Sequence, residues 1–75
     1  MMTQLDRIVN RDPEILGGTP VFLGTRVPIR SLFDYIEAGD TLDEFLRQFP
    51  SVRREQAIGL LDLAHDAVIA DARAA

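Results

Sequence analysis

Apolar and polar positions divide this chain into two regimes. From Ile29 onward the apolar residues recur at helical spacing: Ile29, Leu32, Phe33 and Ile36 fall at i, i+3, i+4 and i+7 while Arg30, Asp34 and Glu37 lie elsewhere, and Leu42, Phe45, Leu46 and Phe49 repeat the stripe. These spacings predict a first helix over 29–38 and a second over 41–49, with Gly39 as a left-handed C-terminal cap. Thr41 and Glu44 form a Thr-x-x-Glu capping box between them. Pro50 closes the second helix, and Ser51 is placed as N-cap of a third over 52–71, with Ala57, Leu60, Leu61, Ala64 and Val68 as its buried stripe. Ile58, Leu63 and Ile69 lie off that stripe, which predicts apolar surface on the third helix. The Ala-Arg-Ala-Ala tail is expected to fray.

Before Ile29 the pattern is that of turns and extended chain. Val21-Phe22-Leu23 favours a strand, Gly24-Thr25 supplies a two-residue loop suited to a type II′ turn, and Arg26-Val27 leads back until Pro28, which lacks an N–H, stops the ladder. A further short strand at Arg7–Asn10, followed by a turn at Asp12-Pro13, is expected to pair with this hairpin in its own chain or in a second copy, because an isolated hairpin is marginal in water. The fold class is therefore mostly α: a trihelical, helix-turn-helix bundle preceded by a short N-terminal strand and β-hairpin over residues 1–28, all in one domain of 75 residues.

Composition narrows the function classes. A chain this short has a thin core. It has no cysteine and a single histidine, so neither a disulfide nor a structural zinc site is available, and oligomerisation is the remaining support: a homodimer is expected. No apolar run approaches the length of a membrane span, the first residues lack a secretory pattern, and a cytoplasmic location is expected. The net charge of −4 is unevenly spread, +1 over residues 1–30, −4 over 31–50 and −1 over 51–75, and every basic residue is Arg.

Candidate chemistry is sparse. No nucleophile and base constellation surrounds His65, and no enzyme is expected. Asp62, His65 and Asp66 share a helical face, as solvated side chains rather than metal ligands, while Asp40, Asp43 and Glu44 suit the dipole of a helix N-terminus; no metal and no cofactor is expected. Gly17, Gly18 and Gly24 are followed by no Gly-Lys-Ser/Thr and make no nucleotide loop. If the second and third helices act as a helix-turn-helix, the third helix enters the major groove by its N-terminal end, which makes Ser51, Arg53, Arg54 and Gln56, with Arg47, the DNA-binding candidates.

Asp12-Pro13-Glu14-Ile15-Leu16-Gly17-Gly18-Thr19-Pro20-Val21, then Gly24-Thr25-Arg26-Val27-Pro28-Ile29, Ala38-Gly39-Asp40-Thr41 and Phe49-Pro50 resemble domain-of-unknown-function family 433 over about residues 7–66. The resemblance implies a homeodomain-like trihelical protein similar to VapB antitoxins, encoded beside a PIN-like ribonuclease toxin, with no catalytic residue to transfer. Its pattern falls on Gly18, Pro20, Gly24, Thr25, Arg26 and Pro28. On this basis Arg26, Arg11 and Arg73 are candidates to meet the toxin's carboxylates, since guanidinium bonds carboxylate in a bidentate fork. Ile58, Leu63, Ile69 and Phe22 are candidates for the dimer or partner surface. The expectation is an antitoxin that neutralises its toxin and binds its operator DNA; the alternatives are a DNA-binding regulator without a toxin, or a purely structural dimerisation module.

Overall fold

A computed structural model describes residues 3–74. Two short strands, β1 (Val9–Asn10) and β2 (Val21–Phe22), precede three helices, α1 (Arg30–Glu37), α2 (Leu42–Gln48) and α3 (Arg54–Ala74). The strands pair antiparallel, Val9 opposite Phe22 and Asn10 opposite Val21. Of the strand expected at Arg7–Asn10 only Val9–Asn10 forms, because Arg7 ends a 3-10 turn over Leu5–Arg7, and it pairs within its own chain.

β2 is bonded on both sides. Leu23 N–H donates to the Ile8 carbonyl at 2.7 Å, whereas Phe22 N–H donates to the Val27 carbonyl at 2.9 Å and Ile29 N–H to the Pro20 carbonyl at 3.1 Å. The return of the hairpin is therefore present as a bridge between Val21 and Pro28, but its loop differs from the two-residue turn expected. Thr25 N–H donates to the Phe22 carbonyl, so Leu23 and Gly24 are the central residues and the positive φ of Gly24, 80°, falls at the second of them. That is the requirement of a type II turn rather than II′. Thr25 accounts for the shift: its hydroxyl donates to the Phe22 carbonyl at 2.8 Å and accepts from Val27 N–H at 3.0 Å, bonds that hold a longer loop closed. Between the strands, Asp12 Oδ1 accepts from Glu14 N–H at 2.9 Å, forming the expected turn at Asp12-Pro13. Leu16, exposed and at φ 49°, occupies a left-handed conformation unusual for its type.

Helix α1 ends as its glycine dictates. Gly39, at φ 90°, donates to the Ile36 carbonyl at 3.0 Å, and Asp40 N–H donates to the Tyr35 carbonyl at 2.9 Å, the paired bonds of a Schellman motif. Thr41 then caps α2, its hydroxyl accepting from Glu44 N–H at 3.1 Å. Only this half of the capping box forms, because the Glu44 carboxylate turns to Arg47 instead.

The core is built from Ile8, Phe22, Leu32, Phe45, Val52, Ala57 and Leu60, with aromatic rings at its centre. Phe45 lies 6.0 Å from Phe22, 5.5 Å from Tyr35 and 5.0 Å from Phe49, ring centre to ring centre. Tyr35 meets Phe45 and Phe49 edge-on, an arrangement favoured by the ring quadrupoles. Two expectations are corrected here. Tyr35, not Ile36, completes the inward face of α1, and Ile36 remains 41% exposed. Phe22 is wholly buried and so belongs to the core rather than to a partner surface.

The third helix departs furthest from expectation. It begins at Arg54, not residue 52, because Val52 is pulled into the core and the chain turns through Pro50-Ser51-Val52. Ser51 consequently stands outside the helix and caps nothing. The helix runs on through Ala72, Arg73 and Ala74 where the sequence predicts fraying, and Ala75 lies outside the described residues. From His65 onward every described residue is exposed, Val68 among them at 65%, since α3 outruns the body that covers its first half. The overhang enlarges the molecule: its radius of gyration of 13.0 Å exceeds the roughly 11.3 Å of a compact chain of this length.

Candidate functional site

The entry to α3 is organised by Gln56. This residue is 4% exposed; its Oε1 accepts from Arg53 N–H at 2.9 Å and its Nε2 donates to the Leu23 carbonyl at 3.0 Å. The first bond is the reach-back half of a capping box, with Arg53 as N-cap and Gln56 three residues in. The second ties the helix to the Leu23-Gly24 turn. Gln56 is a DNA-contact candidate by sequence, and the structure buries it instead: its amide cannot meet a base edge without abandoning both bonds. A buried amide needs such partners because an unpaired one costs about 1–3 kcal/mol.

The remaining groove candidates divide by charge pairing. Arg54 is ion-paired to Asp43 on α2, and Arg47 to Glu44 at 2.6 Å. The hydrogen bond and charge of Arg54, assisted by Arg47, hold the Asp43 carboxyl below its usual range against a small opposing effect of desolvation. These pairs are exposed and contribute little to stability, but they lower the positive charge that α2 and α3 offer a phosphate backbone. Arg53 and Ser51 are exposed, and Arg53 makes no ion pair among the described residues. Of the five residues expected at a groove, these two keep a free polar group at the helix entry.

The three arginines expected at a toxin are all exposed, and none forms an ion pair among the described residues. They are not brought together. Arg26 lies on the loop beyond Phe22, whereas Arg11 follows Asn10, which pairs with Val21 at the other end of the sheet. Arg73 is 17 residues beyond Gln56 on α3, about 25 Å along the axis from the Leu23 turn that Gln56 touches. Arg26 is the best held, because Thr25 and Val27 on either side of it are both bonded.

Among the apolar candidates Ile58 and Ile69 are exposed, at 42% and 38%. Leu63 is not: it packs against the core, since it lies only about 60° round the helix from the buried Leu60 and widens the inward face that Ala57, Leu60 and Leu61 already form. His65 lies 3.3 Å from Asp66, and no group of three or more His, Asp or Glu among the described residues could hold a metal ion. No helix among the described residues is long and apolar enough to cross a membrane.

The family model described as protein of unknown function (DUF433) matches residues 9–64. That stretch takes in both strands, α1, α2 and the covered half of α3, and stops where the overhang begins. The chain is also 43% identical over 49 residues to an uncharacterized protein, y4eO, of Sinorhizobium fredii, an alignment covering 65% of this chain and 22% of that protein. The chain therefore corresponds to a minor part of that longer relative. No solved structure matches. The residues that carry the hairpin, the Gly39 cap and the Gln56 tie all fall within the matched span, and on that match the chain belongs to the DUF433 family.

Proposed function

We propose that this chain is a non-catalytic protein-binding module, the antitoxin of a type II toxin-antitoxin pair, which masks the carboxylate cluster of a PIN-like ribonuclease. The observation that carries the reading is Arg26: an exposed guanidinium with no ion-pair partner among the described residues, on a loop closed by the bonds of Thr25 and tied through Leu23 to Gln56. A cation held on a rigid loop loses little entropy when it engages a carboxylate, and Arg offers two parallel N–H donors for it. The resemblance of the Gly-Thr-Arg-x-Pro run to antitoxin-like proteins supports the same class. Alignment with only 22% of y4eO also suits a module that is joined to other parts in a longer chain.

The test is co-expression with the neighbouring gene product, followed by co-purification and an RNA-cleavage assay. Arg26→Glu is expected to abolish neutralisation, Arg11→Glu and Arg73→Glu to weaken it less. Neutralisation that survives all three charge reversals would sink the reading.

A second reading, operator binding by α2 and α3, is favoured by the exposed Ser51 and Arg53 at the entry of α3. Arg53→Ala is expected to weaken a gel shift with the upstream DNA and to reduce the salt slope by about one. An unchanged affinity would remove DNA from the account.

A further inference from the structure

Helix α3 carries a second apolar line along the flank of the face it turns to the core. Ala57, Leu60 and Gln56 face inward, and at 100° per residue Ile58, Leu61, His65, Val68 and Ala72 gather on one flank, about a third of a turn round from that face, with Ile69 beyond Ile58 on its outer margin. Their spacings are three, four, three and four residues, the a and d positions of two heptads. Leu61 is half-buried and packs against the core at the edge of the body, and the others are exposed.

The molecule also exposes more surface than a folded monomer should. Its accessible surface is 5361 Å², against about 4,600 Å² for a monomeric protein of 8.4 kDa, an excess of about 750 Å². A standard interface removes about 800 Å² from each partner. The excess is thus close to one chain's share of a specific interface, and its visible source is the overhang from His65 to Ala74.

We propose that this flanking seam of α3 is a dimer interface whose occupant is the same seam of a second copy. A line of knobs at heptad spacing fits another helix with that spacing, and a two-fold axis supplies one from the chain's own sequence. Burying Ile58, Val68 and Ile69 in this way extends a core that is otherwise confined to residues 8–60. His65 is the one polar member of the seam, and a polar a position lowers dimer stability while fixing register. This interface is independent of the antitoxin reading, since Arg26 lies on the hairpin loop.

The full chain is to be examined by analytical ultracentrifugation over roughly micromolar to hundred-micromolar concentrations. A concentration-dependent dimer is expected, and a monomer throughout that range would overturn the proposal. Val68→Glu should give a monomer with helical circular dichroism retained, while Ile36→Glu, which alters an exposed apolar residue on α1, should leave the dimer intact; the reverse result assigns association to another surface. His65→Leu should tighten the dimer about tenfold or more by removing the polar layer. Because that effect is a gain, misfolding cannot imitate it, and unchanged or weakened association would count against the seam.

Discussion

Gln56 shows how one side chain can join two parts of a small domain. Its carbonyl oxygen caps α3 and its amide nitrogen holds the Leu23 turn, so removing it orphans a donor and an acceptor at once. Gln56→Leu is expected to cost about 2–4 kcal/mol, the desolvation of the two stranded groups, read as a lower midpoint in urea at unchanged slope. Gln56→Glu should also destabilise, since a carboxylate keeps the cap but faces the Leu23 carbonyl with no proton to donate. A loss below about 0.5 kcal/mol for either variant would show that water replaces the bonds and that the tie is not structural.

Gly59 is a second residue whose importance lies in what is absent. A Cβ built there meets Ile8 Cδ1 at 2.7 Å, so the Ile8 side chain, just ahead of β1, packs onto α3 this closely only because the position has no side chain. Gly59→Ala adds about 1 kcal/mol of helix propensity and introduces overpacking of about 1–3 kcal/mol. The decisive measurement is a double-mutant cycle. Ile8→Val should cost about 1 kcal/mol in the natural chain, as loss of a buried methyl does, and little or nothing in the Gly59→Ala background, because it removes the clashing atom. Additive effects of the two substitutions would mean that the contact relaxes without strain.

At the scale of elements, what can be read from sequence is what is decided locally. Gly39 needs only its own freedom to adopt φ 90°, and Thr41 needs only the N–H of Glu44 three residues on, so the junction of α1 and α2 follows from the residues within it. Gly39→Ala forces a side chain into the left-handed region and should cost about 1–2 kcal/mol, measurable by chemical denaturation. A neutral outcome would show that the loop re-forms with other bonds. Choices between adjacent faces are not legible in this way. Ile36 and Tyr35 both border the stripe of α1, and Tyr35 wins because Phe45 and Phe49 offer its ring two edge-on contacts. At α3 a serine in good capping position loses to Val52, whose burial moves the helix start, and Leu63, a neighbour of Leu60 round the helix, joins the inward face. Gln56 is misread from sequence for the same reason: with the N-cap placed at Ser51 it reads as an exposed polar residue, and with the N-cap at Arg53 it falls three residues in, where Gln reaches back. The candidate site is therefore legible in its exposed arginines, whose side chains need no partner to be placed at the surface, and not in the residue that organises it.

On the scale of the whole molecule, packing and surface are unevenly shared along the chain. Every buried side chain among the described residues lies between Ile8 and Leu60, and the last one packed against the core is Leu63. The overhang beyond therefore adds length and accessible area without adding to the body's own core. A chain ending at His65 loses no buried residue, and its isolated body is expected to fold with a stability within about 1 kcal/mol of the full chain measured at high dilution, because exposed positions contribute little. At high protein concentration the two should diverge. If association through α3 stabilises the full chain by mass action, its unfolding midpoint rises with concentration while that of the shortened chain stays constant. Thermal unfolding of both chains across a hundredfold range of concentration, roughly, separates the contributions. Equal concentration dependence in the two would place association on the body, and collapse of the shortened chain at every concentration would mean that the overhang props up the core from outside.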